Sequence, residues 1–181
     1  MDLAAAWRFL EQSELVASAD EVQGALRRVA EEIAARLGGD YPLVLAVMGG
    51  AVVFAGQLLP LLRFPLDFDY IHVSRYGKET RGAAIDWRVA PPAGVSGRTV
   101  LVVDDILDGG QTMAAIRDRL LGLGAKAFHC AVLVDKVLGR EKPIHADFVG
   151  LRIPDRFVFG YGMDAKGYWR NLPEIRAMAG S

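Results

Sequence analysis

The chain has 181 residues, 52% of them hydrophobic and 24% charged, which is the make-up of one folded domain and excludes a disordered segment. Lys plus Arg is 21 and Asp plus Glu is 22, a net charge of −1 that argues against a dedicated duplex-binding protein. Cys130 is the single cysteine, so no intrachain disulfide and no multi-cysteine metal site can form.

The first forty residues are helical in pattern. Glu14 to Leu37 places Leu15, Val22, Leu26, Val29, Ile33 and Leu37 close to a 3.6-residue period. Ser18 and Asp20 are candidate N-caps, and Gly38-Gly39 is the stop. Leu43 to Met48 is a continuous apolar run of strand length, as in a strand buried on both faces. Gly49-Gly50 turns it into a predicted helix over Ala51 to Leu62. The glycines, Gln57 and Pro60 break this stretch as a membrane span, and the start of the chain lacks the basic residues of a secretory signal. A soluble, cytoplasmic protein is expected.

Asp67 to Ser74 alternates as a strand with one wet face, and Ala83 to Val89 is its expected hairpin partner across a polar loop. Thr99 to Val103 and Ala127 to Val134 are further buried strands. A helix is predicted from Met113 to Leu123, and short strands over 148–151 and 157–161. Strand, Gly turn, helix, strand is the α/β pattern: a central, mainly parallel sheet flanked by helices, with ligands at the strand C-terminal ends. No linker divides the chain, so residues 1–181 are expected to form a single domain, with 1–40 as its helical N-terminal part.

The strongest chemical signal is Val100 to Thr112, VLVVDDILDGGQT. A hydrophobic strand ends in Asp104 and Asp105; Asp108 follows, then Gly109, Gly110, Gln111 and Thr112 open a helix. Glycines let backbone N–H groups close on an anion, and the helix N-terminus adds a favourable dipole. Carboxylates beside an anion cradle suit a ligand that also offers hydroxyls or a cation. A ribose 5-phosphate fits, with its phosphate in the Gly loop and its diol on Asp104 and Asp105. The segment has neither GK[ST] nor GxGxxG, so it is not a P-loop or a dinucleotide fingerprint.

This segment resembles the phosphoribosyl-diphosphate (PRPP) motif of the type I phosphoribosyltransferases, with Gly109 where Thr is usual. Four other places are similar to the hypoxanthine-guanine branch of that family. Val47-Met48-Gly49-Gly50 stands where the pyrophosphate loop does, with Met48 replacing a Lys. Arg75-Tyr76-Gly77 stands in the mobile hairpin loop, with Arg75 replacing a Ser. Leu133-Val134-Asp135-Lys136 matches the segment whose Lys reads a purine 6-oxo group. Ile153 to Asp164, then Tyr168 to Pro173, match the base-binding end.

The resemblance implies the type I fold with a small hood, and transfer of a 5-phosphoribosyl group from PRPP to hypoxanthine or guanine with release of pyrophosphate. It implies Asp108 as the group handling the purine N7 proton and Met48, Gly49 and Arg170 at the pyrophosphate. Lys136, Phe157, Val158 and Asp164 fall at the purine. Mg²⁺ is the implied cofactor, near Asp164, Asp104 and Asp105. It also implies a homodimer or homotetramer, while the net charge of −1 gives no expectation of a nucleic-acid partner. Two other readings stay open: a non-enzymatic PRPP-sensing regulator of the same fold, and a Mg²⁺ phosphatase or receiver-type domain built on Asp104 and Asp105. His72, His129 and His145 are scattered and read as structural.

Overall fold

The structure is a computed structural model that describes residues 2–75 and 85–178. In chain order the elements are α1 (Leu3–Glu11), β1 (Ser13–Ala17), α2 (Ala19–Leu37), β2 (Leu43–Met48), α3 (Val52–Leu58), β3 (Asp67–Arg75) and β4 (Ile85–Val89). Then come β5 (Thr99–Leu107), α4 (Gln111–Gly122), β6 (Ala127–Val137), β7 (Phe148–Pro154), β8 (Val158–Phe159) and β9 (Ile175–Met178).

A six-stranded sheet runs β4-β3-β2-β5-β6-β7. The five strands from β3 to β7 are parallel, and β4 closes the edge as the antiparallel partner of β3. The continuous apolar runs follow from this layering. Val44, Ala46, Leu101, Val103, Ala131 and Leu133 point into one core, under α2 and α3. The intervening Leu45, Val47, Val100, Val102, Cys130 and Val132 point into the other, under α4. Both faces of each central strand are therefore dry, and no polar alternation is needed.

Helix α2 begins at Ser18, whose hydroxyl accepts from the Glu21 N–H while the Glu21 carboxylate accepts from the Ser18 N–H. This reciprocal cap satisfies two orphan donors at once. Residues Val22, Leu26, Val29, Ile33 and Leu37 then form the buried stripe.

The helical reading of residues 14–17 is corrected. They form β1, which pairs antiparallel with β9, and β9 pairs with β8 in a small second sheet ordered β1-β9-β8. A partner some 160 residues away overrides the local periodicity; Glu14 meets Ala177, for example. Two strands also run further than the sequence suggests. β5 continues through Asp104 and Asp105 to Leu107, and β6 continues through Lys136 to Val137. Helix α1 is held onto the C-terminal segment: Trp169 Nε1 donates to the Ala6 carbonyl at 2.9 Å, and its ring meets Trp7 edge-on at 5.0 Å. Among the described residues no helix is long and apolar enough to cross a membrane.

Candidate active site

The C-terminal ends of β2, β5 and β6 converge on one cleft. At the end of β5, Asp104 and Asp105 lie half-buried and adjacent, and the Asp105 N–H donates to the Asp104 carboxylate at 3.0 Å. Burial, and then the neighbouring Asp105 charge, push the Asp104 carboxyl well above the usual carboxylate range. Burial also pushes Asp105 up, against the opposing pull of its hydrogen bonds and the Arg170 charge.

Asp108 projects into solvent beyond them. Gly109 and Gly110 then reverse the chain into α4. Gly110 sits at the cap position with φ +81°, a backbone region that L side chains rarely adopt. Gly110 has no side chain with which to cap α4, and the cleft beside the helix start is lined by Asp104, Asp108, Gly109, Gly110 and Thr112. The absence of a side chain at Gly109 leaves room for Gln111: a Cβ there would overlap the Gln111 carboxamide oxygen.

A second lobe of the cleft shares Asp105, Ile106 and Asp108 with the first and adds Lys136, Phe157, Val158, Met163, Asp164 and Arg170. Lys136 is held between two carboxylates, with Nζ 3.5 Å from Asp108 and 3.5 Å from Asp155. Its side chain is only 11% exposed, so the ammonium is presented from a largely buried stem. Phe157 leaves about half of its surface (49%) open, whereas Val158 is buried beneath it. Facing them, Arg170 donates to the Gly162 carbonyl at 2.6 Å and to the Asp164 carboxylate at 2.5 Å. The other Asp164 oxygen accepts from the Gly167 N–H at 2.7 Å.

The turn after β2 completes the floor. Met48 is half-buried at the strand end and Gly49 is exposed. Gly50 lies against both flanking segments: a Cβ on it would overlap the Asp105 carboxylate, and a Cβ on Gly162 would overlap the Gly50 carbonyl oxygen.

The structure thus gathers Asp104, Asp105, Asp108, Gly109, Gly110, Thr112, Lys136, Phe157, Val158, Asp164 and Arg170 around one cleft, whereas Met48 and Gly49 line neither lobe and adjoin it through Gly50, which meets Asp105. Gln111 opens α4 beside Gly109. The Arg75 side chain and Tyr76 lie outside the described residues. Sequence reasoning missed Ile106 as part of the site, and it named Gly50, Asp155 and Met163 only as members of matching segments. The Gly-Gly pair signals Gly50, but its reason, the approach of Asp105, is a tertiary fact.

Among the described residues no three His, Cys, Asp or Glu side chains gather as a metal cage. Magnesium does not require one, since it is commonly held by one or two carboxylates together with substrate phosphates and water. The carboxylates of Asp104, Asp105 and Asp164 are hard oxygen donors of that kind on the cleft wall.

The phosphoribosyl transferase domain family matches residues 13–166. The chain is similar to the bifunctional protein TilS/HprT of Listeria innocua, 38% identical over 160 residues; these cover 87% of this chain and 24% of that protein. It thus spans about a quarter of that relative's length. It is 33% identical to the hypoxanthine-guanine phosphoribosyltransferase of Bacillus subtilis over 160 residues, 87% of this chain and 88% of that protein. Its fold matches the crystal structure of a hypoxanthine-guanine phosphoribosyltransferase from Bacillus anthracis with a TM-score of 0.85 and 32% identity, over 91% of this chain and 97% of that one.

Proposed function

The chain belongs to the phosphoribosyl transferase family, and on that premise we propose that it transfers 5-phosphoribosyl from PRPP to hypoxanthine or guanine. The products are the purine 5′-nucleotide, IMP or GMP, and pyrophosphate, a purine-salvage reaction. The observation that carries this reading is the position of Lys136, a cation beside Asp108 at the junction of an anion cradle and an aromatic-walled pocket. A phosphate pocket alone would need no such neighbour.

The 5-phosphate is taken by the N-terminal turn of α4 with Thr112, and the ribose diol by Asp104 and Asp105. Pyrophosphate lies toward the Met48-Gly49 turn and Arg170, whose planar fork suits a polyphosphate. The purine stacks on Phe157 over Val158, and Lys136 donates to its 6-oxo group. Adenine carries a donor at that position and is rejected. Purine N9 bonds to the anomeric carbon as the bond to pyrophosphate breaks, through a cation-like sugar. Asp108 accepts the purine N7 proton.

Asp164 and the Asp104–Asp105 pair would hold Mg²⁺, which would supply positive charge for the leaving pyrophosphate. The same reading carries one domain over residues 1–181, a cytoplasmic homodimer or homotetramer, and no nucleic-acid partner.

The test is pyrophosphate release with PRPP, Mg²⁺ and each of hypoxanthine, guanine, xanthine, adenine and uracil. Release with 6-oxopurines alone is expected. No release with any base, with PRPP still raising Tm, would replace the transferase by a PRPP-sensing regulator.

A further inference from the structure

Beside the cleft, in a hollow lined also by Asp135, Lys136 and His145, lies a largely buried cation that none of the steps above uses. Lys142 follows β6, and its side chain is 7% exposed. Its ammonium donates at 2.7 Å to the Asp135 carboxylate and at 2.7 Å to the main-chain carbonyl of Leu107. Each acceptor directly precedes a residue of the proposed chemistry in sequence: Leu107 precedes Asp108, and Asp135 precedes Lys136. The two acceptors are also register partners across the β5–β6 ladder, beyond which β5 turns away into the Gly loop. The Lys142 Cβ, with Pro143 and Ile144, packs on Gly110 at 3.4–3.5 Å from where a Cβ would stand, so the same segment backs the anion cradle.

We infer that Lys142, paired with Asp135, is a positioning residue for the reaction, locking the Leu107–Asp108 peptide against Asp135–Lys136 so that Asp108 and Lys136 stay in register. The argument is geometric. Asp108 is exposed, and among the described residues the ion pairs of Lys136 are with Asp108 and Asp155 at 3.5 Å, so neither side chain is held by a close ion pair. What fixes their separation is the backbone beneath them. At the end of β5 that backbone lies where the ladder stops, and Lys142 is the cross-tie there. A carbonyl and a carboxylate held by one buried ammonium cannot move independently. Arg152 also approaches Asp135, at 3.8 Å, but its side chain is 68% exposed and it makes no bond to Leu107. It therefore steadies Asp135 without joining the two strands.

This inference rests on the transferase reading and deepens it. The decisive variant is Lys142→Met, which keeps the stem that packs on Gly110 and removes only the ammonium. Lys142→Arg restores a cationic donor, and Asp135→Asn removes the anionic partner without touching the segment behind Gly110. For Lys142→Met the expectation is a fall in kcat and a rise in purine KM, together about 10–100-fold, the scale on which small misplacements are felt. KM for PRPP should stay within about twofold, because the cradle keeps its backing. Lys142→Arg should recover part of the loss, and Asp135→Asn should show the same split.

Equal losses in purine and PRPP KM, or activity within about twofold of wild type, would overturn the positioning role while leaving the transferase standing. If Lys142→Met fails to fold, the Asp135→Asn split decides by itself. An inactive wild type would instead count against the transferase. In that case weaker IMP binding by Lys142→Met than by wild type, measured calorimetrically, would still support the cross-tie, and unchanged or undetectable binding would overturn it.

Discussion

The α-carbon of Gly50 faces the Asp105 carboxylate so closely that no side chain fits between them. The turn after β2 and the acidic end of β5 therefore share one surface, and Gly162 presses on the same turn from the other side. Gly50→Ala should push Asp105 out of place or lift the turn. Overpacking of this kind costs about 1–3 kcal/mol in stability. The PRPP dissociation constant should rise at least as much as stability falls. Thermal melts with and without PRPP check this, and an unchanged PRPP-induced shift in Tm would refute it.

Asp108 is 62% exposed along its side chain, and its ion pair with Lys136 is long, at 3.5 Å. Replacing it should leave the fold intact. Asp108→Asn is expected to lower kcat by about 10²–10⁴, the range for a general acid or base, with Tm unchanged. A loss below about threefold would remove it from that role.

Lys136→Ala should weaken hypoxanthine or guanine binding by about 1.5–3 kcal/mol, the worth of a charged hydrogen bond. PRPP binding should be unaffected in the same titration. Calorimetry with each ligand separates the two, and equal loss of both would show that Lys136 organises the whole cleft instead of reading the base.

The Asp104–Asp105 pair gives a pH dependence of definite sign. Burial raises the Asp104 carboxyl above its unfolded value of 3.8, so the folded protein holds the proton more tightly than the unfolded chain does. The stability this contributes is complete below the unfolded pKa and is lost as pH rises through the raised value. In chelator, and without PRPP, Asp104→Asn should therefore melt higher than wild type at neutral pH, with the gain vanishing in acid. The same variant should lose PRPP affinity. A lower Tm at neutral pH would mean that the ionised pair is stabilised by something other than its ligand.

Cys130 is buried in β6, its N–H held by Asp147, and burial pushes its thiol up to about 12. The thiolate is the reactive form, so at pH 8 the native protein should resist iodoacetamide and become labelled only in denaturant. Mass spectrometry reads this directly, and labelling of the folded protein would show that β6 opens.

Much of the sheet and the cleft was legible in the sequence, for local reasons. Leu43 to Met48 is apolar without interruption because both its faces meet a core, and its ends match those of β2 to the residue. Asp104 to Thr112 carries its spacing openly because a phosphate cradle is built from consecutive backbone. What stayed hidden is long-range. Residues 14–17 follow the period of α2 yet pair with β9, a strand of four residues with no signal of its own. The Lys142 tie to Leu107 spans 35 residues and involves a main-chain carbonyl, which no side-chain pattern encodes.

The small sheet has a consequence for how the molecule is made. β8 is two residues long and carries Val158 into the lobe lined by Lys136 and Phe157; its hydrogen-bonded neighbour is β9, which is in turn paired to β1. During synthesis the acidic end of β5 and the start of α4 emerge well before residue 178, so on the proposed reading a nascent chain still lacking β9 has its sugar-phosphate wall before its base wall is tied down. On that reading base selectivity matures late, when β1 pairs with β9.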